Sequence, residues 1–202
     1  MPFPERLAIA SKNAHKLREL GRICSDWPVE WVTVDTHDGP WPDVDEPHDT
    51  YLDNAAAKAR ASAFALGIPA MADDSGLEVD GLSGGPGPRS ARFAGEDASD
   101  EENLAKLISM VEDLSPDARR ARYVCLAVMA TPDDRLLYAS GLCTGTLVTD
   151  RRGERGFGYD PIFVPDGARD RTMAELTDTE KDLISHRGHA FRALRELVAA
   201  NG

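Results

Sequence analysis

The chain predicts an α/β fold, a mixed β-sheet flanked by helices, on three observations. Strand-like and helical patterns interleave from Leu7 to Val111. Two long β-like runs then follow one another at Tyr123–Ala130 and Leu136–Val148, and a helical pattern runs from about Ser185 to Ala200. Interleaving puts helices on the faces of a sheet, whereas consecutive strands pair as a hairpin.

The elements follow in order. Leu7-Ala8-Ile9-Ala10 is a short apolar run that reads as a buried strand, and His15 to Cys24 has helical spacing through Leu17, Leu20 and Ile23. Val29 to Val34 alternates and is β-branched, which predicts a second strand, and residues 35–49 form a loop rich in Asp, Pro and His. Thr50 to Leu66 is a helix with Leu52, Ala56, Ala59, Ala63 and Leu66 as its apolar stripe and Gly67 as its C-terminal cap. Short strands are expected at 69–72 and 77–79, on either side of a turn built from Asp73-Asp74-Ser75-Gly76. Asp100 to Val111 is helical with Asp100 as the expected N-cap. Thr131-Pro-Asp-Asp-Arg135 is a hairpin turn, Gly153–Asp160 is loop, and Pro161–Val164 is short and extended.

Two hundred and two residues suit one domain or two tightly joined lobes. With 23 basic and 35 acidic residues the net charge is −12, which argues against a nucleic-acid partner and against docking on anionic membranes. A local nucleotide site stays open, because a few lysines and a Mg²⁺ ion make a positive pocket in an acidic protein. Cys24, Cys125 and Cys143 are far apart and form no Cys-x-x-Cys pair, which reads as reduced thiols. No apolar run has the length of a membrane span and no signal-peptide core opens the chain, so a soluble cytoplasmic protein is expected.

Several segments have the composition of a chemical site. Asp73 and Asp74 end an apolar run, and an unpaired buried carboxylate is unfavourable, so the pair calls for solvent, hydrogen bonds or a cation. Ser11-Lys12-Asn13-Ala14-His15-Lys16 joins a strand to a helix N-terminus, a natural phosphate seat, although an ordinary capped helix has the same appearance. It is not a P-loop, whose glycine and Lys-Ser/Thr pattern is absent. Asp43, Asp45 and Glu46 precede the helix on which Asn54 and Lys58 share a face. Glu46 with Asp73 and Asp74 meets the needs of Mg²⁺ if the fold unites them. Gly156-Phe157-Gly158-Tyr159-Asp160-Pro161 sets an aromatic ring between glycines, open either to a flat ligand or to the core. Ser185-His186-Arg187-Gly188 opens a helix with Lys181 upstream, and these donors suit a carbonyl-bearing base or a phosphate.

Taken in order, these segments resemble the inosine triphosphate pyrophosphatase family. The matching pieces are Ala10–Lys16, Asp53–Arg60, Ala72–Leu77, Ser90–Gly95, Gly156–Pro161 and Ser185–Gly188, which together span nearly the whole chain. The resemblance implies a long mixed sheet with flanking helices, a single domain over 1–202 with two lobes around a nucleotide cleft, and a homodimer. It implies Mg²⁺-dependent hydrolysis of ITP, dITP or XTP to the monophosphate and pyrophosphate. Asp74 then takes the general-base and metal-linked position, with Glu46 and Asp73 as the other metal-site carboxylates. Ser11 to Lys16, Lys58 and Ser75 grip the triphosphate, and Phe157, Gly158, Tyr159, Asp160, Lys181, His186 and Arg187 hold and read the base. The alternatives are a related pyrophosphatase for modified pyrimidine or methylated nucleotides, and a non-catalytic nucleotide-binding regulator.

Overall fold

The structure, a computed structural model, describes residues 3–44 and 48–201. Six strands form one sheet, β1 (Arg6–Ile9), β2 (Glu30–Val32), β3 (Ala70–Val79), β4 (Arg120–Ala130), β5 (Leu136–Leu147) and β6 (Phe163–Pro165), in the order β2-β1-β3-β4-β5-β6. β1 is parallel to β2 and β3, and β5 is antiparallel to β6, so the sheet is mixed as expected. The helices are α1 (Ala14–Ile23), α2 (Tyr51–Leu66), α3 (Asp100–Val111), α4 (Asp178–Ile184) and α5 (His186–Ala200). None among the described residues is long and apolar enough to cross a membrane. The chain divides into two compact units, one of residues 1–74, 125–141 and 187–202, the other of 75–124 and 142–186.

In the first unit, strand alternation decides which helix covers which face. Leu7 and Ile9 of β1, Met71 of β3 and Cys125, Ala127 and Met129 of β4 pack with Leu20 and Cys24 of the α1 segment and Phe191, Leu194 and Val198 of α5. The residues between them, Ala8, Ala10, Ala70, Ala72, Val128 and Ala130, face Ala55, Ala56, Ala59 and Ala63 of α2. Alanine against alanine lets α2 lie close on its face, while bulkier side chains fill the other. Fully burying a residue such as Phe191 or Leu194 contributes about 1.5–3 kcal/mol. Asn13 caps α1, its side chain accepting from the His15 and Lys16 amides, and Gly67 closes α2 at φ 65°. The β4–β5 hairpin is tied by the Thr131 amide on the Arg135 carbonyl at 3.0 Å.

The second unit has its own core, in which Leu104, Leu107 and Val111 of α3 meet Leu77, Val79, Tyr123, Leu147, Ile162 and Phe163. α3 is capped by Ser99, one residue before the expected Asp100, in a reciprocal capping box with Glu102. α4 was not expected from the sequence, and Thr177 with Glu180 starts it by the same device.

One expectation fails. Asp73-Asp74-Ser75-Gly76 is not a turn, because β3 runs through it without a break. Gly76 is required there for closeness: a Cβ would lie 2.7 Å from the Ser90 Oγ and closer still to the Gly87 carbonyl oxygen. The Leu77 amide donates to that Ser90 hydroxyl at 2.8 Å, which in turn donates to the Gly87 carbonyl at 2.7 Å.

Candidate active site

Because β3 is continuous, Asp73 and Asp74 project from opposite faces, and helices cover both. Asp73 falls on the face of Met71, shared with α1 and α5, and Asp74 on the face of Ala72, shared with α2. Both are buried, at 3% and 5% exposure, so each needs its own partners.

Asp73 has cations around it. Its Oδ2 accepts from Arg187 Nη2 at 2.9 Å and Nε at 3.3 Å, lies 3.1 Å from Lys16 Nζ, and receives the Cys125 thiol at 3.9 Å. Burial pulls its pKa upward, but the charges of Arg187, Lys16 and Lys58 outweigh burial and hold the carboxyl well below the usual carboxylate range. Arg187 is 1% exposed; burial works against its charge, and Asp73 and Glu19 more than restore it. Its Nη1 donates to Glu19 Oε2 at 2.7 Å. Desolvation, then the Asp73 charge, pushes the Cys125 thiol up and keeps it protonated.

Two ammonium groups converge on the Asp73 backbone carbonyl, Lys58 Nζ at 2.8 Å and Lys16 Nζ at 3.4 Å. The negative charge of Asp73 offsets their like charges. Asp74 Oδ2 accepts from Asn54 Nδ2 at 3.0 Å, and Asn54 is itself anchored to the backbone of His48 in both directions. The helix-start segment is partly self-satisfied. The Asn13 side chain takes two α1 amides, Lys12 pairs with Asp43 at 2.8 Å on the surface, and His15 meets Arg18 at 2.9 Å. Ser11 Oγ accepts from the Asn13 amide at 3.2 Å, and Ala14 is exposed. Side chains, above all Lys16, are therefore the charge this segment offers a phosphate.

In the second unit, Asp160 organises the other set of expected site residues. Its Oδ2 accepts from Lys181 Nζ at 2.5 Å and from the Phe157 amide at 3.0 Å. Lys181 Nζ also stands 5.1 Å from the centre of the half-buried Phe157 ring. The Gly158 amide donates to Asp100 at 3.2 Å and the Tyr159 hydroxyl to the Ser90 carbonyl at 2.7 Å, so Tyr159 secures the loop from within. His186 is buried, and Ser75 is half-buried.

The structure brings Lys16, Lys58, Asp73, Asp74 and Arg187 together in the first unit and Phe157, Asp160 and Lys181 together in the second. Arg187, expected at the base, faces Asp73 and Glu19. Glu46 lies outside the described residues. Sequence reasoning missed Glu19 and the carboxylate-holding role of Asn54. A glutamate three residues after Lys16 on the face that also carries Leu20 was the available signal for the first.

The donor set suits a hard divalent cation. Asp73 Oδ1 is buried and meets no hydrogen-bond donor among the described residues, and Asp74 offers a second carboxylate. Among the described residues, Asp73 and Asp74 are two carboxylates available for it. That number fits Mg²⁺ beside phosphate oxygens and water.

Comparison with known proteins identifies the family. The Ham1 family matches residues 7–197. The chain belongs to the Ham1 family. This Ham1 chain is 47% identical over 198 residues to the dITP/XTP pyrophosphatase of Frankia alni, covering 96% of each. It is 45% identical over 200 residues to that of Cutibacterium acnes, covering 97% of each. The Staphylococcus aureus Ham1 protein has the same fold, with a TM-score of 0.83 at 38% identity over 98% of this chain and 100% of that one.

Proposed function

We propose that this protein hydrolyses nonstandard purine nucleoside triphosphates, ITP, dITP and XTP, to the monophosphate and pyrophosphate, and so clears them from the nucleotide pool. The observation that carries the reading is the convergence of Lys16 and Lys58 on the carbonyl of Asp73, next to the buried, Asn54-held carboxylate of Asp74. Cations for a polyanion, one from α1 and one from α2, meet at one residue of β3, next to a carboxylate that can orient a water. The dITP/XTP pyrophosphatase names of relatives at 45–47% identity support the substrate class.

In this reading Lys16 and Lys58, with Ser11, Lys12, Asn13 and the neighbouring residues to His15, and with Ser75, hold the triphosphate. Asp74 aligns a water and accepts its proton as the oxygen attacks the α-phosphorus. The bond from that phosphorus to the bridging oxygen breaks, and pyrophosphate leaves with its charge offset by the two lysines. A carboxylate is a weak base, so the fixed orientation from Asn54 matters more than basicity. Mg²⁺, held by Asp74 with Asp73 and Glu46 as further candidates, supplies charge neutralisation on the phosphate oxygens when bound. Asp73, already neutralised by Arg187 and Lys16, serves chiefly to fix the lysines.

The base is held against Phe157, with Gly158 to Asp160 shaping the loop and Lys181 and His186 as donors. A 6-oxo group accepts from such donors where the 6-amino group of adenine does not. Arg187 is a further candidate donor to the base in this reading. A homodimer belongs to the same reading through the resemblance. A cytoplasmic location accords with three free, buried cysteines. Asp74→Asn tests the mechanism: kcat should fall about 10²–10⁴-fold with the melting temperature unchanged. Retention of most of the activity would remove Asp74 as the base.

A further inference from the structure

Tyr123 carries none of the roles above, yet it touches two of the groups assigned to the base. It lies on β4, 7% exposed, and its hydroxyl donates to Asp160 Oδ1 at 3.3 Å. Its ring stacks on the His186 imidazole, with centroids 4.6 Å apart and planes 8° from parallel. Phe163 meets the Tyr123 ring edge-on at 4.8 Å, which fixes where the ring lies. Asp160 in turn holds the Phe157 amide and the Lys181 ammonium through its other oxygen.

A core aromatic needs only to fill space, and Phe would do so here. The hydroxyl adds a donor to a carboxylate that is itself 3% exposed, so the rotation of Asp160 is set from both oxygens. Freed on one side, the carboxylate would turn about its Cβ–Cγ bond. Lys181 and the Phe157 backbone would then lose the common acceptor that holds them in register. The parallel stack restrains the plane of His186 in the same way.

We propose that Tyr123 is a positioning residue for purine selection, acting through Asp160 and His186 without touching the substrate. The inference rests on the assignment of Phe157, Lys181 and His186 to the base. It predicts a loss confined to recognition of the 6-oxo purine, with the chemistry at Asp74 intact.

The test is steady-state pyrophosphate release from dITP and dATP by wild type and Tyr123→Phe, with melting curves for both. Tyr123→Phe keeps the stack and removes the hydroxyl. KM for dITP should rise about tenfold, the loss of one net hydrogen bond in a buried network, with kcat near wild type. Turnover of dATP should be unchanged, so the dITP to dATP preference falls by the same factor. Asp160→Asn in both backgrounds should give losses that are less than additive, because the hydroxyl acts through Asp160. An unchanged preference, additive losses, or a fall in kcat alone would overturn the proposal. Collapse of the fold in Tyr123→Phe would assign the hydroxyl to the core and overturn it equally. A wild-type protein inactive on dITP and XTP would instead defeat the underlying functional reading and this inference with it.

Discussion

Replacing Arg187 by Met is the most demanding test of the electrostatics. Methionine fills much of the volume while removing the charge and the hydrogen bonds to Asp73 Oδ2 at 2.9 and 3.3 Å and to Glu19 Oε2 at 2.7 Å. Both carboxylates are buried, so the loss is of the kind in which one partner of a desolvated pair is withdrawn, about 3–5 kcal/mol. Lys16 remains beside Asp73, which places the expectation near the lower end, about 3 kcal/mol. In a chain of this size that lowers the melting temperature by about 6–12 °C. The pH dependence supplies the sign. In wild type the Asp73 pKa is depressed, so its contribution is present above the unfolded value near 4 and fades only as pH falls through the lower folded value. Without Arg187, burial gains on the remaining cations and that contribution shrinks. The stability gap between wild type and variant should therefore be widest near pH 7 and narrow as pH falls through the variant's higher folded value towards the depressed wild-type one, measured by urea denaturation from neutral into acidic pH. Adding Asp73→Asn and Glu19→Gln to Arg187→Met should recover most of the stability. A gap below about 1 kcal/mol, or one that does not vary with pH, would refute the buried-pair account.

Two further outcomes follow from the same geometry. Lys58→Met removes one of the two ammonium groups on the Asp73 carbonyl and should raise KM for the triphosphate by about tenfold, with a weaker dependence on salt, in assays at several ionic strengths. Gly76→Ala drives a methyl group into the Gly87 carbonyl and the Ser90 hydroxyl, and should destabilise the fold by about 1–3 kcal/mol in a denaturant titration.

The framework of the fold was legible because it depends on local pattern. The apolar run at 7–10, the alanine stripe of α2 with Gly67 behind it, and the turn at 131–135 all carry their cause within a few residues. The acidic segment was misjudged for the opposite reason. Asp-Asp-Ser-Gly has turn chemistry. The partners of the two carboxylates are Asn54, 20 residues away, Lys16 at 57 and Arg187 at 114, and those contacts let the strand continue through it. Alternation then explains why two adjacent aspartates have different tasks. α4 escaped notice because seven residues give little periodicity, although the Thr177–Glu180 box was there to read. The site residues were legible as a set of types in order, not as contacts: Glu19 and Tyr123 acquire meaning only once Arg187 and Asp160 are seen beside them.

The central claim is that Asp74 and the two lysines act on a nonstandard purine triphosphate. The most direct measurement is pyrophosphate release from dITP, XTP, dATP and dGTP, each with Mg²⁺ and with excess EDTA. The account predicts turnover of dITP and XTP at least about 100-fold above dATP, in the direction expected of a site built to hydrogen-bond its substrate, and none in EDTA. Equal turnover of dITP and dATP, or activity that survives chelation, would contradict it.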